Sequence, residues 1–384
     1  SRIRMTADAA AQPAPLAPEE TRPVGLFDPI ELRGVEFRNR LWVSPMCMYA
    51  VDADDGVVTD WHRGHLPAMA RGGAGLVIAE ATGVVPAGRI SPRCPGLWND
   101  AQRDALGGVA ELVHAAGGAL AVQLAHAGRK ASTQPWLPGF DGSSLGPDAG
   151  GWVAEAPSAV AFEGLAEPRA LSIGEVQDLV GAFADAADRA VEAGLDAIEL
   201  HGAHGYLIHE FLSPFSNRRD DEYGGDLAGR ARFALEIVRE IRRRRPGLPM
   251  LVRISATEWL EGGFDLGEAV IVAGWLRDAG ADLIDVSSGA NAPARIPVGP
   301  AYQAPLAARI RREAGVPVAT VGMIDDARTA QAILALGDAD VVNVGRGWLR
   351  NPYLGLQWAA DLRVDASAFT PPQLWRAHPP AKRR

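Results

Sequence analysis

Only two cysteines, Cys47 and Cys94, occur among the 384 residues of this chain. A disulfide framework is therefore not what holds the fold together, and an iron–sulfur cluster drawing four thiolates from one chain is excluded. So low a thiol content fits a reducing cytoplasm. Long apolar runs are missing as well, since none reaches the roughly 18 residues needed to span a bilayer. Positive charge is not in excess: 47 Asp and Glu against 38 Lys and Arg leave a formal net charge of −9. That balance argues against nucleic acid or an anionic membrane as the main partner, because both attract basic surfaces. A dense basic run, Arg242-Arg243-Arg244-Arg245, reads as the end of a helix, where cations suit the C-terminal dipole and water solvates them.

Regular patterning is absent from two stretches. Residues 1–24 are rich in Ala, Pro and Glu without periodicity. They lack the unbroken apolar core of a secretion signal and read as a disordered tail. Residues 132–170 carry many Gly, Pro and Trp residues with little helical or strand period. A segment of that length inside a compact domain is usually functional.

What the chain does have is a repeated short strand followed by a longer helix. Apolar, β-rich runs fall at 41–45, 75–80, 119–124, 196–201, 249–254, 282–286, 317–321 and 340–344. Several are apolar almost throughout, as strands buried on both faces should be. Amphipathic stretches at 173–193, 227–245, 266–279, 302–314 and 325–336 lie between them, and Gly194 and Gly280 close two of these before the next strand. No G-x-G-x-x-G follows the first strand, which speaks against an open doubly wound sheet. The pattern predicts an α/β fold, a single (β/α)8 TIM barrel over 25–365. Residues 132–170 then form an insertion after the third strand, placed over the C-terminal mouth as a lid or substrate-shaping subdomain. Residues 366–384 form a C-terminal tail.

Barrel active sites are built where strands end, so the residues just past each strand carry the chemistry. They are Pro45, Met46, Cys47 and Tyr49 after the first; Glu80, Ala81 and Thr82 after the second; Gln123, His126, Arg129 and Lys130 with the third. The fourth yields His201, His204 and Tyr206, the fifth Arg253, the seventh Gly322 and Met323, and the eighth Gly345 and Arg346. Glycine turns after strands seven and eight let backbone N–H groups approach a phosphate, with Arg346 able to add a charge-assisted contact. Read alone, they are also compatible with ordinary tight turns. His201 and His204 could bind a metal, which needs a third ligand such as His126 or Glu199. Alternatively, both donate hydrogen bonds to one substrate oxygen. Tyr206 suits a general acid or an aromatic anchor. Cys47 has the character of a small buried hydrophobe. Arg253 closes an apolar strand and needs an anionic or acceptor-rich partner, of which an electron-rich flavin ring is one.

Taken together, these segments resemble the Old Yellow Enzyme family of FMN-containing ene-reductases, and most closely its thermophilic-like bacterial branch. The resemblance runs from about residue 26 to 376. It rests on S-P-M-C-M-Y (44–49), Q-L-A-H-A-G-R-K (123–130), the long run H-G-A-H-G-Y-L-I-H-E-F-L-S-P-F-S-N-R-R-D-D-E-Y-G-G (201–225) and V-G-R (344–346). It implies that Pro45, Met46, Ala81, Gln123 and Arg253 surround the isoalloxazine ring, with Gln123 on its pyrimidine edge and Arg253 on the N1/O2 side. Gly322, Met323, Gly345 and Arg346 match the phosphate cradle, and Cys47 the cysteine that tunes the flavin. His201 and His204 match the pair gripping the substrate's activating oxygen, Tyr206 the proton donor and Tyr49 a further substrate contact.

The implied reaction takes hydride from NADPH or NADH onto flavin N5. From there it goes to the β-carbon of an electron-poor alkene, while Tyr206 protonates the α-carbon; FMN carries the redox chemistry. The substrate class is α,β-unsaturated aldehydes, ketones, imides and nitroalkenes, with no metal. A homodimer or higher homo-oligomer is expected, with Arg376 a candidate to reach a neighbouring subunit's site. Two alternatives stand beside this reading: a metal-dependent hydrolase or lyase using His201 and His204, and another FMN barrel oxidase.

Overall fold

The computed structural model describes residues 22–379, so residues 1–21 of the expected N-terminal tail and the last five of the C-terminal tail lie outside the described residues. Eight parallel strands close into a barrel. Around it, the first to eighth strands are Leu41–Val43, Val77–Gly83, Leu120–Ala125, Ala197–Gly202, Met250–Ser255, Leu283–Ser287, Val318–Thr320 and Val341–Val344. The helices outside are α1 (Asp60–Arg71), α2 (Asp100–Ala115), α3 (Ile173–Glu192), α4 (Leu207–Leu212), α5 (Leu227–Arg244), α6 (Leu266–Ala279), α7 (Ala304–Ala314), α8 (Ala327–Ala335), α9 (Arg346–Arg350) and α10 (Leu354–Asp361). This is the (β/α)8 barrel expected from the strand–helix rhythm.

Local chemistry explains why these elements start where they do. Asn99, Ser172, Asp226, Asp265 and Asp326 each accept a backbone N–H of the first helical turn, satisfying donors that a helix leaves free. In α3 the buried positions Val176, Leu179, Phe183, Ala187 and Ala190 recur at helical spacing. That stripe faces the strands, and Phe183 meets Phe233 of α5 edge to face, 6.2 Å between centroids. The second to sixth strands are buried at every position, as a parallel sheet covered on both faces requires.

Inside the barrel the side chains sit in layers. At the base, Trp42, Ile78, Ala121, Ala197, Leu251, Leu283, Ala319 and Val341 form one apolar cluster with Ile30, Leu32 and Phe37. The latter come from a short hairpin (Ile30–Leu32 with Val35–Phe37) that plugs the bottom. Strand side chains alternate with a period of two, so the next inward layer is Ser44, Gln123, Glu199, Arg253, Asp285 and Asn343, all buried. An apolar floor thus carries a polar storey directly beneath the mouth.

The 132–170 segment contains one small parallel pair, Glu155–Ala156 with Arg169–Ala170. Its Leu137 and Ala154 pack in one cluster with Tyr49, Ala81, Cys47 and Tyr206, and Trp152 Nε1 donates to the Ala87 carbonyl at 2.9 Å. The segment therefore lies against the residues of the mouth.

Some boundaries differ from the sequence reading. The second strand runs to Gly83, past a register shift between Ala79 and Thr82. Helices α1 and α2 carry weak signals because Gly64 and Pro67 interrupt one and Gly107 and Gly108 the other. The basic run ends α5 as expected; Arg243 is solvated, but its three neighbours are engaged by other elements. Arg242 bonds Asp282 and the carbonyls of Gly280 and Leu248. Arg244 bridges Asp185, Asp188 and Glu240, and Arg245 holds Asp188. The chain turns back under the barrel there and offers its carbonyls to the guanidinium groups.

Because Phe37 is buried in the plug, Phe37→Ala is expected to cost roughly 3–5 kcal/mol. This would be read as a lower urea midpoint; an unchanged midpoint would show that the plug does not support the barrel.

Candidate active site

The polar storey is wired across neighbouring strands. Register sets Gln123 opposite Glu199 and Arg253 opposite Asp285. Gln123 Nε2 donates to Glu199 Oε1 at 2.9 Å. Arg253 places Nε and Nη2 at 2.8 and 2.7 Å from Asp285 Oδ2, donates from Nη2 to Ser44 Oγ at 2.8 Å, and stands 3.4 Å from Glu199. An anionic, acceptor-rich partner for Arg253 is thus supplied within the protein by Asp285, with Ser44 beside it.

Above this storey the fourth strand gives way to a tight loop. His204 adopts a left-handed φ of 60° and Gly205 one of 75°. A Cβ on Gly205 would fall 2.3 Å from the Ala290 carbonyl, so only glycine fits. The backbone N–H of His204 donates to Ser255 Oγ at 3.0 Å, and its Nε2 lies 2.6 Å from Ser287 Oγ. Lys130 Nζ donates to the carbonyls of His204 and Ala290 at 2.8 and 2.9 Å, and sits 5.1 Å from the Tyr206 ring centre. The His201 ring meets His204 edge-on at 5.3 Å and Tyr206 at 4.8 Å. His201 Nδ1 is buried without a protein partner.

The mouth is electrically neutral where these rings meet. Burial holds both imidazoles well below their ordinary value, reinforced by the positive charges of Arg253 and Lys130. Burial likewise pushes up the phenols of Tyr206 and Tyr49, and the neighbouring thiols add to this. The Cys47 thiol is pushed well up by burial, then by Cys94 and Glu80, so it stays protonated. Neutral imidazoles still carry one N–H donor each.

On the far side, a cleft of about 230 Å³ is lined by Met46, Gly322, Met323, Gly345 and Arg346. Met323 has a left-handed φ of 54°. Arg346 is exposed, donates to the Met323 sulfur at 3.9 Å, and makes no ion pair among the described residues. An uncommitted guanidinium over two glycine turns suits a phosphate. Met46 packs 3.4 Å from where a Gly345 Cβ would be and links this cleft to Pro45 and Cys47. A planar group with a phosphate tail therefore fits these residues: cradle at the cleft, polar storey and His201 Nδ1 at the ring.

The metal alternative lacks its ligands. His126 Nδ1 accepts the Gly128 N–H at 3.0 Å, and Glu199 is engaged by Gln123. Among the described residues no group of three or more His, Cys, Asp or Glu is placed to hold a metal ion. In the tail before Arg376, Phe369 stacks on Phe27 at 5.5 Å and lies under Arg38, and Trp375 Nε1 donates to the Thr370 carbonyl at 3.0 Å.

Several residues at the site escaped the sequence reading. Ser255 and Ser287 fix His204, and buried His62 pairs at 2.8 Å with Glu80, which the sequence had placed at the rim and which takes the Met48 N–H at 3.0 Å. Asp285 and Asn343 complete the polar storey. For these two a signal existed: each lies two residues beyond an apolar inward position, Leu283 and Val341.

Comparison with known proteins agrees with this geometry. Residues 25–363 match the NADH:flavin oxidoreductase / NADH oxidase family. The chain is 45% identical over 344 residues to an NADPH dehydrogenase of Geobacillus sp. (strain WCH70), covering 89% of this chain and 96% of that protein. Among solved structures, morphinone reductase superposes with TM-score 0.74 at 30% identity, covering 92% of this chain and 94% of that one. An old yellow enzyme homologue from Zymomonas mobilis gives 0.72 at 27%, covering 93% and 99%. Barrel, mouth and relatives define an oxidoreductase that uses FMN and NAD(P)H. The chain belongs to the NADH:flavin oxidoreductase / NADH oxidase family, as a member of its Old Yellow Enzyme group.

The neutral imidazoles carry a stability consequence. Unfolded, His201 and His204 take up protons near 6.5; folded, only well below that. Between those values the unfolded chain binds more protons, so acidification below about 6.5 favours unfolding. The thermal midpoint should fall as pH drops through this window, and a His201→Gln/His204→Gln variant should show a shallower fall. An identical slope in the double variant would mean that these rings are not held neutral.

Proposed function

We propose that this enzyme is an ene-reductase acting on electron-poor alkenes: α,β-unsaturated aldehydes, ketones, imides and nitroalkenes, with NADPH or NADH as reductant. The observation that carries the reading is the convergence of two neutral imidazoles and one protonated phenol at the mouth, His201 standing edge-on to both His204 and Tyr206. The existence of morphinone reductase among the structural neighbours supports it. Transfer of hydride from a nicotinamide to the β-carbon of the alkene is the chemistry that bound FMN supplies.

The chain's own residues do the rest. Pro45, Met46, Ala81, Gln123 and Arg253 hold the ring; Gly322, Met323, Gly345 and Arg346 hold the phosphate. His201 and His204 each donate one N–H to the substrate's activating oxygen, stabilising the negative charge that builds there. A Ser287 hydroxyl donating to His204 Nε2 would leave the proton of that ring on Nδ1 for the substrate. Tyr206, kept protonated by burial, delivers its proton to the α-carbon. Lys130 anchors the His204 carbonyl and lies against the phenol ring, where its charge favours the phenolate that results. Tyr49 adds a substrate contact, Cys47 tunes the flavin as a neutral thiol, and the 132–170 segment shapes the pocket. We place the enzyme in the cytoplasm as a homodimer or higher homo-oligomer, with Arg376 the candidate to reach a neighbouring subunit's site.

Three measurements test this. The holoprotein should be yellow, bleach with NAD(P)H in the absence of air, and regain colour with cyclohexenone; a preparation that cannot take up flavin would sink the reading. Phenols mimic the enolate oxygen, so His201→Ala and His204→Ala should each weaken phenol binding by on the order of tenfold or more with flavin retained. Unchanged phenol affinity would remove the pair from that role. Tyr206→Phe should slow re-oxidation by an enone by on the order of a hundredfold or more and barely alter flavin reduction by NAD(P)H. Equal slowing of both half-reactions would contradict proton donation.

A further inference from the structure

The polar storey holds two acids and one guanidinium in a space closed to water. Glu199 and Asp285 are both fully buried. They are faced by Gln123 from the third strand, Arg253 from the fifth and, through Arg253, Ser44 from the first. Arg253 commits both nearby nitrogens to Asp285, at 2.8 and 2.7 Å, and only approaches Glu199, at 3.4 Å. Gln123 serves Glu199 Oε1 alone. That leaves Glu199 Oε2 and Asp285 Oδ1 buried with no donor supplied to either. Two carboxylates here would put a second, uncompensated charge in a low-dielectric interior, which is strongly disfavoured. One proton shared between them removes that cost and satisfies both open oxygens.

We propose that Glu199 is a positioning residue held as a neutral carboxylic acid, donating its proton to Asp285 and thereby fixing Gln123 and Arg253 for the pyrimidine edge of the flavin. The inference rests on the reading of those two residues as ring contacts. Burial, and then the Asp285 charge, pushes the Glu199 carboxyl well above the carboxylate range, in the same direction as the geometry. The consequence is electrostatic. With Glu199 neutral, the storey carries Arg253 against Asp285 and no net charge. With Glu199 ionised it would carry a net negative charge beneath a ring that itself gains negative charge on reduction. The retained proton thus keeps the ring reducible by a nicotinamide.

Infrared spectroscopy of apoprotein and holoenzyme, with H/D exchange, reads the proton directly. Glu210, pushed up to about 8 by burial, supplies one protonated-carboxyl band near neutral pH in wild type and variant alike. A further band from Glu199 is expected in wild type and should be missing from Glu199→Gln, read as the wild-type-minus-variant difference. The amide reproduces the neutral acid, accepting from Gln123 and donating to Asp285, so this variant should hold flavin within about twofold of wild type at an unshifted midpoint potential. Asp285→Asn, which strips Arg253 of its carboxylate, should shift that potential. A wild type without that further band, or a Glu199→Gln potential shifted as far as that of Asp285→Asn, overturns the proposal. Arg253→Met separates the two readings: unchanged flavin affinity and potential there would sink the placement of the ring, while the infrared band still decides the state of Glu199.

Discussion

A polar side chain pointing into a closed parallel barrel has no water to turn to. Its partners come from the neighbouring strands, from a bound group, or not at all, and the last option costs the full desolvation of the group. This constraint governs the molecule. The lowest inward layer avoids it by being apolar and sealed with a hairpin. The layer above cannot be apolar, because a redox cofactor needs hydrogen-bonding groups along one edge. It is therefore satisfied laterally, strand to strand, through Gln123–Glu199 and Arg253–Asp285. Register makes this pairing possible: a one-residue slip would turn these side chains outward.

Above that layer, the same constraint sets the protonation of every group at the mouth. Burial together with the positive charges of Arg253 and Lys130 keeps His201 and His204 deprotonated at neutral pH, while burial keeps the protons on Tyr206 and Cys47. The strained turn that presents them, with His204 and Gly205 both left-handed, is held by Ser255 on one side and Lys130 on the other. Strain of this kind persists only where the surroundings over-determine it.

The barrel was legible in the sequence because strands buried on both faces leave unbroken apolar runs, and Gly194 and Gly280 punctuate the helices between them. The residues of the rim were legible because strand ends collect at one mouth, and the positions just past those runs include Cys47, His201, His204 and Arg346. Pairing across strands stayed hidden. Nothing local in L-I-D-V-S (283–287) says that Asp285 meets Arg253, 32 positions earlier; that contact comes from barrel register. Ser255 and Ser287 were silent for the same reason. The basic run was misread because its partners, Asp185, Asp188 and Asp282, come from other elements.

The distribution of charge distinguishes this mouth from a mere binding pocket. Full charges sit below it, in Arg253 and Asp285, and beside it, in Lys130 and Arg346; the groups that would touch the substrate are uncharged donors. Neutral N–H and O–H groups in a water-poor site carry no desolvated charge of their own. Their dipoles are already aimed, so they gain most when charge develops on the oxygen they face. On the proposed reading, keeping His201 and His204 neutral matters as much as their position, and both follow from burying polar groups at a closed mouth.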